Sequence, residues 1–322
     1  MGFRATQLVH VAAKLGIADL LQGGPQPVSA LATAVRAHPR ALYRLLRALA
    51  SLGLFAETAN DQFELTALGE MLRSNAPGSL RPLALLYGED WVWNAYGQAS
   101  HSVMTGRPAF EHVHGQGLFD YMQAHPEAAA TFDGGMTAYS EHEAAAILAA
   151  YDFPGAGTIV DVGGGAGALL ASILTAHPRA RGVLFDQASV TDRARDLMMR
   201  AGVLDRCTTE VGDFFERVPD GGDLYVLKSV LHNWDDPDGL AILRSCRSAM
   251  PPRARLLIIE RVVPEGNEPS EAKLFDINML VMLGGLERTI AEYRALLRDS
   301  GFDLKRVVPT EAPVSLLEAA VT

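Results

Sequence analysis

The sequence predicts an α/β protein: a mostly parallel, seven-stranded sheet covered on both faces, preceded by a mainly helical region. Two observations carry this expectation. From Tyr151 onward, short continuous apolar runs alternate with helical stretches, the signature of strands buried on both faces. Before Tyr151 the apolar residues recur at helical spacing, interrupted by one pair of β-like runs. The length of 322 residues agrees, because most single cores stop growing below that size and two domains are the natural division.

In chain order, residues 5 to 21 are one apolar-periodic stretch ending before the breaker cluster Gly23-Gly24-Pro25. Ser29 opens a short helix. Pro39 opens a stronger one that runs to Gly53, since proline is tolerated where a helix N–H has no partner anyway. The β-like runs either side of Ala59-Asn60-Asp61 read as a hairpin. Helix, helix, hairpin is the layout of a winged helix. Residues 79 to 150 read as wholly helical, and their aromatic residues read first as core. Beyond Tyr151 the strands are TIVDVG, GVLFD, TTEVG, DLYVLKSV and RLLIIE. Helices follow them at 166–177, 189–201, about 213–217, 236–249 and 271–283. After a further helix at 289–300, FDLKRVV and VSLLEAAV supply the last two strands.

Composition narrows the function. A hydrophobic fraction of 48% with 20% charged residues is that of an ordinary globular protein. The net charge of -10 disfavours nucleic acid and anionic membrane as partners, because long-range attraction to phosphate has the wrong sign. Arg40, Arg44 and Arg47 lie near one helical face and invite a DNA-binding reading, yet Glu57, Asp61, Glu64 and Glu70 follow at once. A solvated face or a subunit contact fits the arginines better. Cys207 and Cys246 read as buried small hydrophobes rather than a disulfide or metal pair. His112 and His114 flank Val113 without a third ligand at a usable spacing, so they read as loop residues and no metal site is expected. The opening segment is interrupted by Arg4, His10, Lys14 and Asp19, unlike a signal peptide, and no apolar run spans a bilayer. A cytoplasmic enzyme is expected.

Four segments carry chemistry. Asp161-Val162-Gly163-Gly164-Gly165-Ala166-Gly167 follows a strand and opens a helix, where glycines permit a tight turn and close approach of a ligand. Asp186 ends the next strand, the place where an acid accepts hydrogen bonds from ribose hydroxyls. A dinucleotide site fits these two features as well. Gly212-Asp213-Phe214-Phe215 ends the third strand, and an acid followed by an aromatic ring suits adenine, as it also suits a turn beside core. His232, in LKSVLHNWDD, falls just after the fourth strand at the carboxyl edge, where ligands bind in open α/β sheets. An imidazole with an ordinary pKa near ~6.5 suits a general base there. Glu260 ends the neighbouring strand and Glu287 lies in GGLERT. Either carboxylate on the far imidazole nitrogen would fix its tautomer and raise its basicity, while Glu287 alone reads equally as a cap for the helix near Thr289.

Taken in order, DVGGGAG, GVLFD, GDFF, LKSVLHNWDD, LLIIE and GGLERT resemble the O-methyltransferase family of plant caffeic acid and flavonoid enzymes, hydroxyindole methyltransferases and bacterial enzymes tailoring antibiotics. The resemblance runs over essentially the whole chain. It implies a Rossmann-like class I methyltransferase domain at residues 151–322. It also implies a winged-helix-like dimerisation domain at 1–88, a helical connecting and lid region at 89–150, and a homodimer. The cofactor implied is S-adenosyl-L-methionine, with Gly163, Gly165, Asp186, Asp213, Phe214, Lys228 and Ser229 around it. His232 becomes the base, flanked by Glu260 and Glu287. Asn233 stands where many plant members have Asp, and the first dimer helix is shorter than in many relatives. Asn278 and Met282, one helical turn apart, are candidate walls of the acceptor pocket with Met136, although core packing explains them nearly as well.

The reaction so implied is in-line transfer of a methyl group to the oxygen of a small aromatic or polyketide-type molecule. A phenol with pKa near ~10 is mostly protonated at neutral pH, so a base is needed. Three other readings are carried alongside. They are a dehydrogenase sharing the Gly-rich turn, a winged-helix regulator, and a cofactor-retaining relative that performs hydroxylation or a pericyclic reaction.

Overall fold

The computed structural model describes residues 2–59 and 61–322, and for 189–193 the backbone alone. The chain divides into two compact units, one of residues 1–97 and 122–139, the other of 98–121 and 140–322.

The first unit begins with α1 (Gly2–Lys14) and α2 (Ile17–Leu20). The expected single helix is split because Gly16 adopts φ 65°, the left-handed conformation that ends a helix. After β1 (Gln26–Pro27) come α3 (Val28–Val35) and α4 (Pro39–Ala50). The expected hairpin is β2 (Phe55–Glu57) with β3 (Gln62–Leu65), paired antiparallel. Asn60, in its turn, lies outside the described residues. β1 adds a third strand in the order β1-β3-β2; two residues are too few to leave a periodic signature. Leu42, Leu46 and Leu49 of α4 pack with Ile17, Phe55 and Phe63 in one core. Arg40, Arg44 and Arg47 are exposed.

Four short helices follow: α5 (Ala67–Glu70), α6 (Arg81–Leu86), α7 (Asp90–Tyr96) and α8 (Ala99–Thr105). Then come α9 (Ala109–His114), α10 (Leu118–Ala124) and the long α11 (Pro126–Ala150). His112 and His114 end a helix rather than lie in a loop. Pro108 opens α9, and Gly115 at φ 73° closes it within six residues, too short a span for helical periodicity to show.

The second unit carries the sheet. Its elements are β4 (Ala156–Val162), α12 (Ala168–Ala176), β5 (Arg179–Asp186), α13 (Ala188–Arg200), β6 (Cys207–Val211) and β7 (Leu224–Lys228). There follow α14 (Asp236–Ala249), β8 (Arg255–Glu260), α15 (Glu271–Met282), α16 (Ile290–Asp299), β9 (Phe302–Pro309) and β10 (Ser315–Val321). The expected short helix near 213–217 is a turn instead. Asp213 Oδ1 accepts the Phe215 N–H at 2.8 Å, a local bond that competes with helix formation.

The strand order is β6-β5-β4-β7-β8-β10-β9, with β10 alone antiparallel to the rest. Alternate residues of each strand feed opposite cores: Ile159 and Val226 one, Val160 and Tyr225 the other. Both cysteines are buried and free. The chain winds outward from β4 through β5 to β6, then returns to place β7 on the other flank of β4. That reversal leaves a crevice beyond the carboxyl ends of β4 and β7, where open α/β sheets bind ligands. Among the described residues no helix is long and apolar enough to cross a membrane.

Candidate active site

The loop after β4 forms one wall of the crevice. Gly163 and Gly165 adopt φ 68° and 59°, a region that L side chains avoid. A Cβ on Gly163 would come within 2.9 Å of the Val230 side chain and 3.5 Å of the Phe214 ring, so this loop touches the loop after β7 directly. A Cβ on Gly165 would meet nothing within 4 Å. The space before it is open. The Gly165 N–H donates to Asp186 Oδ2 at 2.8 Å and the Gln187 N–H to Oδ1 at 2.7 Å, tying the end of β5 to the glycine loop. Burial raises the Asp186 carboxyl pKa against those two donors. Asp161 is buried behind the loop, and desolvation, with the charge of Asp186, pushes it to about 7 while Lys228 pulls the other way.

The remaining residues expected around a cofactor gather at the same edge. Phe214 is half-buried and packs edge-on against Phe215 and Trp234, with ring centroids 5.0 and 6.0 Å away. Asp213 beside it is exposed. Ser229 takes φ 54°, unusual for a residue with a side chain, and its N–H donates to the Ile259 carbonyl at 3.1 Å. Lys228 is engaged: its ammonium lies 2.8 Å from Glu143 of α11 and donates to Ser140 Oγ at 3.4 Å.

His232 sits in a single 3-10 turn, Leu231–Asn233, fixed from both sides. Glu260 Oε1, at the end of β8, accepts the N–H groups of Val230, Leu231 and His232 at 3.0, 2.9 and 3.4 Å. Arg288, fully buried, donates to the carbonyls of Leu231 and Trp234 and to Asp236 Oδ1, each at 2.9 Å. Gly285 packs so closely that a Cβ there would fall 2.0 Å from the His232 carbonyl oxygen.

The imidazole meets both expected acids through Nδ1, with Glu287 Oε1 at 2.7 Å and Glu260 Oε2 at 3.4 Å. The two carboxylates therefore divide the work: Glu287 holds the ring and Glu260 holds the backbone that carries it. Glu287 does not cap the following helix. Thr289 does so, in a reciprocal capping box with Glu292. The Glu287 N–H donates in turn to Asp276 Oδ1 at 2.9 Å. Burial works against a charged imidazole, but Glu260 and Glu287 outweigh it and hold the His232 pKa above its ordinary value. With Nδ1–H donated to Glu287, the neutral ring presents Nε2 as its proton acceptor.

His232, Glu260 and Glu287 also offer ligand atoms within 4.8 Å of one another. However, Glu260 Oε1 is committed to backbone donors, and 2.7 Å is the separation of a direct charge-assisted hydrogen bond. The donor set suits an imidazole better than an ion.

Of the expected acceptor walls, Asn278 and Met282 lie on α15 three and seven residues beyond Phe275, on the same helical face. Phe275 stacks on the His232 ring, with centroids 6.1 Å apart and planes 20° apart. Asn278 is half-buried and Met282 buried. Met136 is half-buried on α11, within the other unit.

Sequence reasoning passed over Glu143, Arg261, Phe275, Asp276 and Arg288. Two had an available signal, since Arg261 and Arg288 directly follow the two acids singled out. A buried acid at a sheet edge invites a neighbouring cation. Glu143 had none, lying mid-helix in an alanine-rich stretch.

Residues 96–303 match the O-methyltransferase domain model and residues 1–75 the O-methyltransferase dimerisation domain. The chain is 46% identical over 318 residues to a phenazine O-methyltransferase of Lysobacter antibioticus, covering 99% of this chain and 93% of that protein. It is 42% identical over 313 residues to the mitomycin biosynthesis 6-O-methyltransferase of Streptomyces lavendulae, covering 96% and 89%. The crystal structure of a methyltransferase of calicheamicin biosynthesis, with S-adenosylhomocysteine bound, aligns with TM-score 0.89 at 37% identity over 100% of this chain and 96% of that one.

Proposed function

The chain belongs to the O-methyltransferase family, with that family's dimerisation domain ahead of its catalytic domain, and from this we propose that His232 is the general base for methylation of a phenolic oxygen. The enzyme uses S-adenosylmethionine and acts on small aromatic natural products. The open space before Gly165 fits that cofactor, because only a residue without a side chain leaves it clear. Gly163 and Gly165 would line its methionine and ribose portion and Asp186 would take the ribose hydroxyls. Asp213 and Phe214 would contact the adenine, and Lys228 and Ser229 would complete the wall. When bound, the cofactor supplies an electrophilic methyl group on a sulfonium.

This chain's own task is alignment and removal of one proton. Nε2 of His232 accepts the acceptor's hydroxyl proton, while Glu287 on Nδ1 stabilises the imidazolium that forms. Phe275, Asn278 and Met282 form one side of the acceptor pocket. Residues 1–88 build a homodimer, 89–150 act as the connecting lid, and 151–322 carry the chemistry. The proposed location is the cytoplasm.

One observation carries the assignment of the base. The loop holding His232, with its Nδ1 2.7 Å from Glu287, is pressed against Gly163 through Val230. His232→Ala and His232→Gln test it: turnover should fall roughly 10²–10⁴-fold, with S-adenosylmethionine affinity by calorimetry nearly unchanged. Normal turnover with weakened cofactor binding would remove His232 from the chemistry.

A further inference from the structure

Two carboxylates at one imidazole create a difficulty for a base. Each stabilises the imidazolium, and a ring already protonated accepts nothing. The groups facing His232 are Glu260 from β8, Glu287 and Arg288 from the segment before α16, and Arg261 just past β8. Behind them stand Asp276 of α15, Tyr293 of α16, Asp236 of α14, Lys228 of β7 and Glu143 of α11. Arg288 is directed at two carbonyls and Asp236, and Lys228 at Glu143. Tyr293 is buried, and desolvation holds its hydroxyl well above the ordinary value, so it stays neutral.

Arg261 differs. Its guanidinium is buried at 4% exposure and lies 4.1 Å over the Phe275 ring, the ring that stacks on His232. Its acidic neighbours are Glu143 at 3.6 Å and the mostly exposed Glu271 at 3.9 Å. We propose that Arg261 is a positioning residue for the reaction: laid on Phe275, it fixes the ring that stacks on His232 and sets a positive charge against the two carboxylates at that imidazole. The inference rests on His232 being the base, and it assigns the control of that base.

The two ring distances put guanidinium and imidazole within about 10 Å of each other. At an effective dielectric near ~20, a unit charge at that distance changes proton affinity about tenfold, or about one pH unit. The charge of Arg261 acts on His232 in the lowering direction, together with burial and against the two carboxylates, which outweigh them.

The test is a titration of His232 in full-length protein labelled at histidine with ¹³C, its resonance assigned with His232→Gln. Arg261→Met should raise the midpoint by about one pH unit and carry the acid limb of kcat/KM upward with it. Arg261→Lys should restore the midpoint. If Arg261→Met lacks a cooperative melt, Glu143→Gln supplies the opposite perturbation: removing the acid beside Arg261 should lower the midpoint. An unmoved midpoint in Arg261→Met, or an equal rise in Arg261→Lys, overturns the proposal. So does an unmoved or raised midpoint in Glu143→Gln. A midpoint that moves while the acid limb stays still upholds the role of Arg261 and instead removes His232 as the base.

Discussion

Glu260 and Glu287 touch the same imidazole nitrogen, yet their substitutions should fail in different ways. In Glu260→Ala, the N–H groups of Val230 and Leu231 lose an acceptor at 3.0 and 2.9 Å inside a fully buried pocket. Each unsatisfied buried donor costs about 1–3 kcal/mol, so the loss is about 2–6 kcal/mol, a large part of the roughly 5–15 kcal/mol that holds a domain folded. Glu287→Gln keeps an amide oxygen to accept Nδ1–H and disturbs the fold little. It removes the charge that stabilises the imidazolium in the transition state. A charge-assisted bond of about 1.5–3 kcal/mol corresponds to a kcat loss of about 10- to 150-fold. Differential scanning calorimetry and steady-state kinetics on both variants separate the two outcomes. A Glu260→Ala enzyme that melts like wild type, or a Glu287→Gln enzyme of full turnover but low melting temperature, would refute this division of labour.

Arg288→Met leaves the carbonyls of Leu231 and Trp234 without their donor; it should cost about 2–5 kcal/mol of stability and make the His232 loop exchange amide hydrogens faster. Gly165→Ala places a methyl group in open space at φ 59°. It should weaken S-adenosylmethionine binding with a melting loss of only about 1–2 kcal/mol, whereas Gly164→Ala, whose Cβ would fall 2.5 Å from Asp161 and Leu184, should mainly destabilise. The raised His232 pKa has a stability consequence of fixed sign. Its contribution is fully present below the unfolded value near ~6.5 and disappears as pH rises through the folded value. Melting curves of His232→Gln against wild type across that window should therefore differ most at the acid end.

The inner strands, such as β7 and β8, were legible because each is a nearly continuous apolar run, and burial on both faces demands that; the edge strands β6 and β9 are polar and largely exposed, and were legible mainly from their place in the alternation with helices. The loops after β4 and β7 were legible for a different reason, since glycines at a strand end and a histidine past the next strand are unusual residues in informative places. What escaped was set by tertiary contact. Nothing local distinguishes an acid that binds backbone from one that binds a ring, so Glu260 and Glu287 were interchangeable until Oε1 of Glu260 was seen to take three N–H groups. The turn at Asp213 defeated a helical reading because one side-chain hydrogen bond outweighs weak periodicity over five residues. β1 exists only because β3 pairs with it.

The pattern around His232 follows from the demands of in-line transfer. Alignment is the larger part of catalysis when the electrophile is already reactive, and a displacement of about an ångström can cost roughly a hundredfold. A base on a one-turn loop is a poor choice unless the loop cannot move. Here its amides are gathered by one buried carboxylate, its carbonyls by one buried guanidinium, and its ring by a second carboxylate and an aromatic face. The acids that provide this rigidity also favour the protonated ring, so rigidity and basicity oppose each other at a single nitrogen. A cation set back behind Phe275 opposes that preference, because it acts on the ring's charge without taking a hydrogen bond the loop requires. Each acid of the pair, Glu260 and Glu287, is followed in the chain by an arginine. Arg288 locks the loop, and Arg261 sets a positive charge behind Phe275 against the acids that hold the ring.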